Sequence, residues 1–220
     1  MQKIVTYTFN VFLKLQLFPY LFSLQQVKRR KQAQKFSSLW TSVWKEQAYM
    51  SEEDSEKIIA HYNTFTPYSI DYIVRFLYIW PVGIVRIISK NPFGLPTLND
   101  FTISPKFSSL GMDEIIEVTL LSVKKVFRQY SHVVALLLIR QVYKYTIHHG
   151  ISGIVVAADR RLWFLLKRIL LLPFTQIGDS QLYEGSVTFP GYLHIPDWEK
   201  EVKKRNFPRN LLEKSVERQD

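Results

Sequence analysis

Two β-prone runs stand back to back between Ser69 and Lys90: SIDYIVRFLYIW and PVGIVRIISK, meeting at Pro81–Gly83. β-Branched and aromatic residues dominate both, and such runs separated by Pro and Gly predict an antiparallel hairpin. The elements on either side of a hairpin then decide the fold class. Ahead of it, Val27 to Tyr49 lacks Gly and Pro. Phe36, Leu39, Trp40, Val43 and Trp44 recur there at intervals of three and four, which marks one face of an amphipathic helix. After the loop NPFGLPT come a strand, MDEIIEVTLLSV, and a helix, SHVVALLLIRQVYKYTIHHG, closed by Gly150. Next come a strand, ISGIVVAAD, and a helix, RRLWFLLKRILLL, stopped by Pro173. Its Trp163 and Phe164 are expected in the core, because helix-spaced leucines accompany them. FTQIGDSQLYEGSVTFPGYLHI predicts strand and turn, and the charged tail from Asp197 a short helix fraying into solvent. This order predicts one mixed α/β (α+β) domain, a mixed central sheet flanked by helices.

The balance of charge narrows the partners. Among 220 residues, 29 Lys plus Arg against 19 Asp plus Glu give a net charge of +10, which favours an acidic partner: nucleic acid, an anionic membrane surface or an acidic carrier protein. With 47% hydrophobic residues the chain buries a substantial core, which excludes wholesale disorder. Having no cysteine, it has no disulfide, thiolate nucleophile or cysteine zinc site. Its five histidines show no zinc spacing, so no metal is expected. Ile4 to Leu24 is almost uncharged and is followed by KRRKQAQK, with the positive charge behind it rather than in front as in a secretory signal. Two readings fit: a segment packed on the core, or an interfacial anchor whose basic flank sits on anionic lipid. The chain thus divides into a hydrophobic segment with its flank (1–34), a catalytic or binding domain (35–196) and a charged tail (197–220).

Glu117 is the anomaly. It interrupts an alternating apolar strand, where a charged side chain needs a partner or a purpose. Arg86 poses the mirror problem, sharing a strand face with Ile84 and Ile88, and Glu117 is its expected partner. A guanidinium is also suited to a bidentate grip on a substrate carboxylate.

Five blocks now carry a resemblance: WTSVWKEQAY (Trp40–Tyr49), NTFTPYSIDYIV (Asn63–Val74), PVGIVRII (Pro81–Ile88), EVTLLSV (Glu117–Val123) and the run Gly150–Gly185. In order and rough spacing they resemble one branch of the GNAT acyltransferases. That branch comprises the acyl-homoserine lactone (autoinducer) synthases and the long-chain N-acyl amino acid synthases, including the bacterial acyltransferases associated with exosortase systems. The similarity runs from about Lys35 to Pro190. It implies a GNAT-like acyl-CoA N-acyltransferase fold and an enzyme that moves a fatty acyl group from acyl carrier protein to the amino group of an amino acid or similar small amine. No cofactor is bound, and the donor is acyl-phosphopantetheine on the carrier. The residue matching Glu117 holds or deprotonates the amine, often through water. A backbone N–H of the bulged central strand faces the oxyanion. Arg86, Thr119, Trp40 and Leu120 become the substrate-binding candidates. The implied location is cytoplasmic, peripheral at the inner face of the membrane.

The departures are as informative as the matches. Trp40 and Leu120 stand where relatives carry arginines, and Asn63 and Thr66 where they carry aspartates. Both signs have gone together, so the site is predicted apolar rather than unbalanced. Either the amine specificity has changed, or the fold has lost activity and serves as a membrane-associated lipid- or partner-binding module. After Val123, KKVFRQYSHVVALLL holds no glycine to cradle a coenzyme A pyrophosphate, which favours a protein-bound phosphopantetheine. Lys124, Lys125, Arg128, Arg160 and Arg161, with Lys167 and Arg168 behind them, are the cations offered to an acidic carrier. Nucleic acid ranks below membrane as a partner, because the aromatic residues lie within apolar periodic runs. In QLYEGSV, Tyr183 and Gly185 resemble a Tyr-x-Gly element of the family, with Glu184 replacing its usual histidine.

Overall fold

The computed structural model describes residues 21–107, 111 and 114–204, without the side chains of 128–132 and 202–204. In chain order its elements are β1 (Phe22–Gln26), α1 (Arg30–Glu46), α2 (Ser55–Thr64), β2 (Ser69–Phe76), β3 (Trp80–Ile88), α3 (Pro96–Asp100) and β4 (Ile115–Val123). There follow α4 (Ser131–His148), β5 (Gly153–Asp159), α5 (Arg160–Phe164), β6 (Thr175–Gln176), β7 (Gln181–Tyr183), β8 (Ser186–His194) and α6 (Ile195–Lys204). They form two compact units, Met1–Ile88 with Val118–Val142 and Ser89–Glu117 with Tyr143–Asp220. β4 passes from the second unit into the first after Glu117.

In the first unit the strand order is β1-β2-β3-β4, with β1 antiparallel to β2 and β2 antiparallel to β3. The expected face of α1 is the one buried: Phe36, Leu39, Trp40, Val43 and Trp44 pack with Tyr62, Ile73, Ile84 and Leu120. Three T-shaped ring contacts join Trp40, Trp44 and Tyr62 at 5.3–5.8 Å, the edge-to-face geometry that aromatic quadrupoles favour. The basic run Lys28–Lys35 mostly belongs to the first turns of α1; of the apolar run Ile4–Leu24, residues 4–20 lie outside the described residues, and Phe22–Leu24 belong to β1, paired with β2.

The hairpin exists, but its turn is not at Pro81–Gly83. The chain reverses at Leu77–Tyr78, both with positive φ, and Ile79 N–H bonds the Phe76 carbonyl at 3.1 Å. Pro81 sits beside a bulge near Val74 and Arg75, where a missing N–H is tolerated. Gly83 has a packing role instead: a Cβ there would lie 2.3 Å from Val134 Cγ1, so α4 rests directly on β3 at this point. Both supposed turn residues thus serve the strand itself.

In the second unit β4 runs parallel to β5 over Ile115–Glu117, and β8 pairs antiparallel with β5, β6 and β7. The sheet is therefore mixed. β5 leads directly into α5, whose first turn is capped by Asp159 Oδ1 accepting from Leu162 N–H at 2.7 Å. A single π-type turn, Leu165–Ile169, follows. Trp163 and Phe164, adjacent in α5, point about 100° apart: Trp163 stacks on Phe189 at 5.7 Å, whereas Phe164, expected in the core with it, is exposed. The predicted tail helix forms as α6, with Trp198 buried against Tyr143, and the rest of the tail, 205–220, lies outside the described residues. Among the described residues no helix is long and apolar enough to cross a membrane.

Candidate active site

Glu117 is 2% exposed on β4, and its partner is Thr97 rather than a cation. Thr97 N–H donates to Oε2 at 2.9 Å and Thr97 Oγ1 donates to Oε1 at 2.8 Å. Thr97 is the second residue of α3, where Pro96 starts the helix and the early N–H groups have no intrahelical acceptor. The carboxyl group satisfies one of them. Burial dominates its titration, raising the pKa from 4.5 to about 8; the two Thr97 donors pull the other way, and the charge of Asp100 adds to the rise. Glu117 is therefore a carboxyl group poised between acid and base near neutral pH.

Asp100 closes the same short helix and links it to the β7–β8 hairpin. Tyr183 O–H donates to Asp100 Oδ2 at 2.7 Å, and the Gln181 side-chain amide donates to the Asp100 carbonyl at 2.8 Å. Burial first, and then the carboxylates of Glu184, Asp100 and Glu117, push the Tyr183 phenol far above its ordinary range, so it stays a proton donor. Glu184 and Gly185, both with positive φ, are the turn of that hairpin. Thr97, Asp100, Glu117 and Tyr183 thus form one polar cluster in the second unit.

The expected Arg86–Glu117 pair is replaced by another. Asp71 lies directly across the β2–β3 ladder from Arg86 and takes its Nε and Nη2 donors at 2.7 and 2.8 Å, a bidentate pair. Arg86 Nη1 donates to the Tyr62 carbonyl at 2.7 Å, and the guanidinium lies 5.3 Å from the centre of the Phe36 ring. Buried and held on three sides, Arg86 fixes β2, β3 and α2 together; it is not presented as a substrate clamp. Trp40 and Leu120, also expected as substrate contacts, are brought together, but inside the core at 1% and 3% exposure.

Leu120 carries a second feature. Its φ of 54° puts a bulky residue in the left-handed region in mid-strand, which costs about 1–2 kcal/mol and persists only where the surroundings impose it. Thr119, half-buried, precedes the kink. Of the carrier candidates, Lys124 and Lys125 follow β4 in the first unit, and Arg160 and Arg161 stand exposed at the start of α5 in the second. The Arg128 side chain lies outside the described residues.

Sequence reading missed Asp71, Thr97 and Asp100. Asp71 was signalled by being the one acidic residue in SIDYIVRF, opposite the one basic residue in PVGIVRII. Thr97 was signalled by Leu-Pro-Thr, a helix start hidden in what reads as a loop. For Asp100 we find no comparable signal.

No family model matches the sequence, and no curated protein matches it. Solved structures do. FeeM, an N-acyl amino acid synthase from uncultured soil microbes, superposes with a TM-score of 0.65 at 16% identity, covering 84% of this chain and 97% of its own. TofI in an apo form gives a TM-score of 0.51 at 12% identity over 79% of this chain and 90% of its own. A GNAT-family acetyltransferase from Staphylococcus aureus Mu50 gives 0.52 at 10% identity over 79% and 99%. At these identities the likeness is one of architecture, and the mixed sheet with its kinked central strand and flanking helices is the GNAT acyltransferase fold.

Proposed function

We propose that the protein is an N-acyltransferase that transfers a fatty acyl group from the phosphopantetheine thioester of an acyl carrier protein to the amino group of an amino acid or similar small amine. The observation that carries this reading is Glu117: a buried carboxyl group with a pKa near 8 on the central strand, three residues before a left-handed kink in the same strand. An ammonium must lose a proton before it can attack. The Glu117 carboxylate accepts it, through one water because the side chain is buried. The amine nitrogen then bonds to the thioester carbonyl carbon, the carbon–sulfur bond breaks, and the second proton that the nitrogen sheds passes through solvent to the departing phosphopantetheine thiolate, leaving the amide and the free thiol. A backbone N–H at the Leu120 kink serves the oxyanion. Support for the acceptor comes from FeeM, an N-acyl amino acid synthase with the same fold. Support for a carrier-bound donor is the glycine-free stretch after β4 and the cations Lys124, Lys125, Arg160 and Arg161.

A second reading, a non-catalytic member of the fold that binds lipid or a partner at the membrane, is favoured by one observation: Thr97 already bonds both oxygens of Glu117. Mass spectrometry of lipid extracts separates the two. Cells expressing the wild type accumulate an N-acyl amine that cells expressing Glu117→Gln at matched soluble levels do not. A product in both strains removes Glu117 from the mechanism, and a product in neither supports the non-catalytic reading.

A further inference from the structure

The turn of the β2–β3 hairpin is built from the wrong residues for a turn. β-Turns with positive φ at both central positions favour Asn-Gly, because larger side chains clash with their own backbone there. Here the two positions are Leu77 at φ 47° and Tyr78 at φ 64°. Both are exposed, as are Ile79 and Trp80 after them, at 63% and 54%. The chain therefore accepts strain in order to hold four large apolar side chains at a convex tip in water. Such a conflict between local preference and fold points to use rather than to stability.

The surroundings extend the tip. Leu21, itself exposed, is tied to it by the Leu77 N–H, which donates to the Leu21 carbonyl at 2.7 Å. Val126, 73% exposed, follows Lys124 and Lys125 on the turn that places Phe127 against Phe76. Phe76 in turn stacks on Trp80, which anchors the tip to the sheet.

We propose that this tip inserts into an anionic lipid bilayer, with Lys124 and Lys125 at the headgroups. Three features select that occupant. Tyr and Trp beside aliphatic residues are the composition of the membrane interface. Adjacent lysines, in a chain of net charge +10, complement anionic headgroups. Leu21, the first described residue, is exposed at the same edge, and the apolar sequence Ile4–Tyr20 is covalently joined to the fold through it. This inference does not rest on Glu117, and Glu117→Gln retains it whatever that variant does to acyl transfer.

The test uses the full-length chain with vesicles of phosphatidylcholine, alone or with about one-third phosphatidylglycerol. Wild type cosediments with the anionic vesicles, and more weakly as salt rises. Leu77→Asn/Tyr78→Gly binds them at least about tenfold less. The same variant melts about 3–6 °C higher, since it relieves both left-handed residues and gives up only exposed ones. The combination of greater stability and weaker binding is not what a structural defect produces. Undiminished vesicle binding by the double variant, or a lower melting temperature, overturns the proposal. Equal binding of wild type to neutral and anionic vesicles contradicts the anionic surface. A concentration-dependent dimer abolished by the double variant, without vesicle binding, assigns the tip to a second copy. Shielding of Trp80 from iodide before lipid is added, judged against Trp80→Phe, assigns it to residues 1–20 of this chain.

Discussion

Glu117→Gln should stabilise the protein, and by an amount that depends on pH in a particular way. The carboxyl group is buried, with a native pKa of about 8 against 4.5 in the unfolded chain. Below about pH 4.5 both states carry the proton and the group is neutral to folding. Between about pH 4.5 and 8 the native state binds more protons than the unfolded one, so stability falls as pH rises. Above about pH 8 the full penalty stands, roughly 3–5 kcal/mol, because a tenfold change in proton affinity is worth about 1.4 kcal/mol. Glutamine keeps both contacts, its carbonyl accepting from Thr97 N–H and its amide donating to Thr97 Oγ1, but never ionises. The stability difference between variant and wild type, from urea unfolding at about pH 5, 7 and 9, should grow from near zero to several kcal/mol. A difference flat across pH, or one that shrinks as pH rises, refutes the account of this residue.

Three further outcomes follow from the same geometry. Asp71→Asn leaves the Arg86 guanidinium buried without its counter-charge and should cost about 3–5 kcal/mol in chemical unfolding; a loss below about 1 kcal/mol would mean that Tyr62 and Phe36 suffice. Gly83→Ala drives a methyl group into Val134 and should cost about 1–3 kcal/mol, most of it recovered in Gly83→Ala/Val134→Ala; absence of recovery would place the strain elsewhere. Thr97→Val removes a donor that favours the ionised carboxylate, so the pH midpoint for acyl transfer should rise, and an unmoved or lowered midpoint contradicts the role given to Thr97.

Sequence periodicity made the frame legible because burial repeats along it. α1 shows its core face in five residues at helical spacing, and all five are buried. Backbone reversals were less legible. Pro81 and Gly83 carry the ordinary signature of a turn, yet one sits by a bulge and the other admits α4, while the true turn is made of Leu77 and Tyr78. That error hid the ion pair: with the reversal misplaced, Asp71 does not fall opposite Arg86, and the guanidinium was assigned to Glu117 instead. Glu117 itself was visible as a misfit in an apolar strand, whereas Thr97 and Asp100 come from a five-residue helix too short to leave a periodic trace. The exposed tip was invisible for a related reason, since Leu-Tyr-Ile-Trp in a β-prone run looks like strand.

The most direct test of the central claim is single-turnover amide formation by purified wild type and Glu117→Gln, with long-chain acyl carrier protein and the amine identified in cells, across about pH 6 to 10. The account predicts a wild-type rate that climbs through an apparent pKa near 8 and levels off, and a variant at least about a hundredfold slower with that limb gone. A Glu117→Gln enzyme within a few-fold of wild type, with the same pH limb, would contradict it and leave Glu117 as the cap of α3 alone.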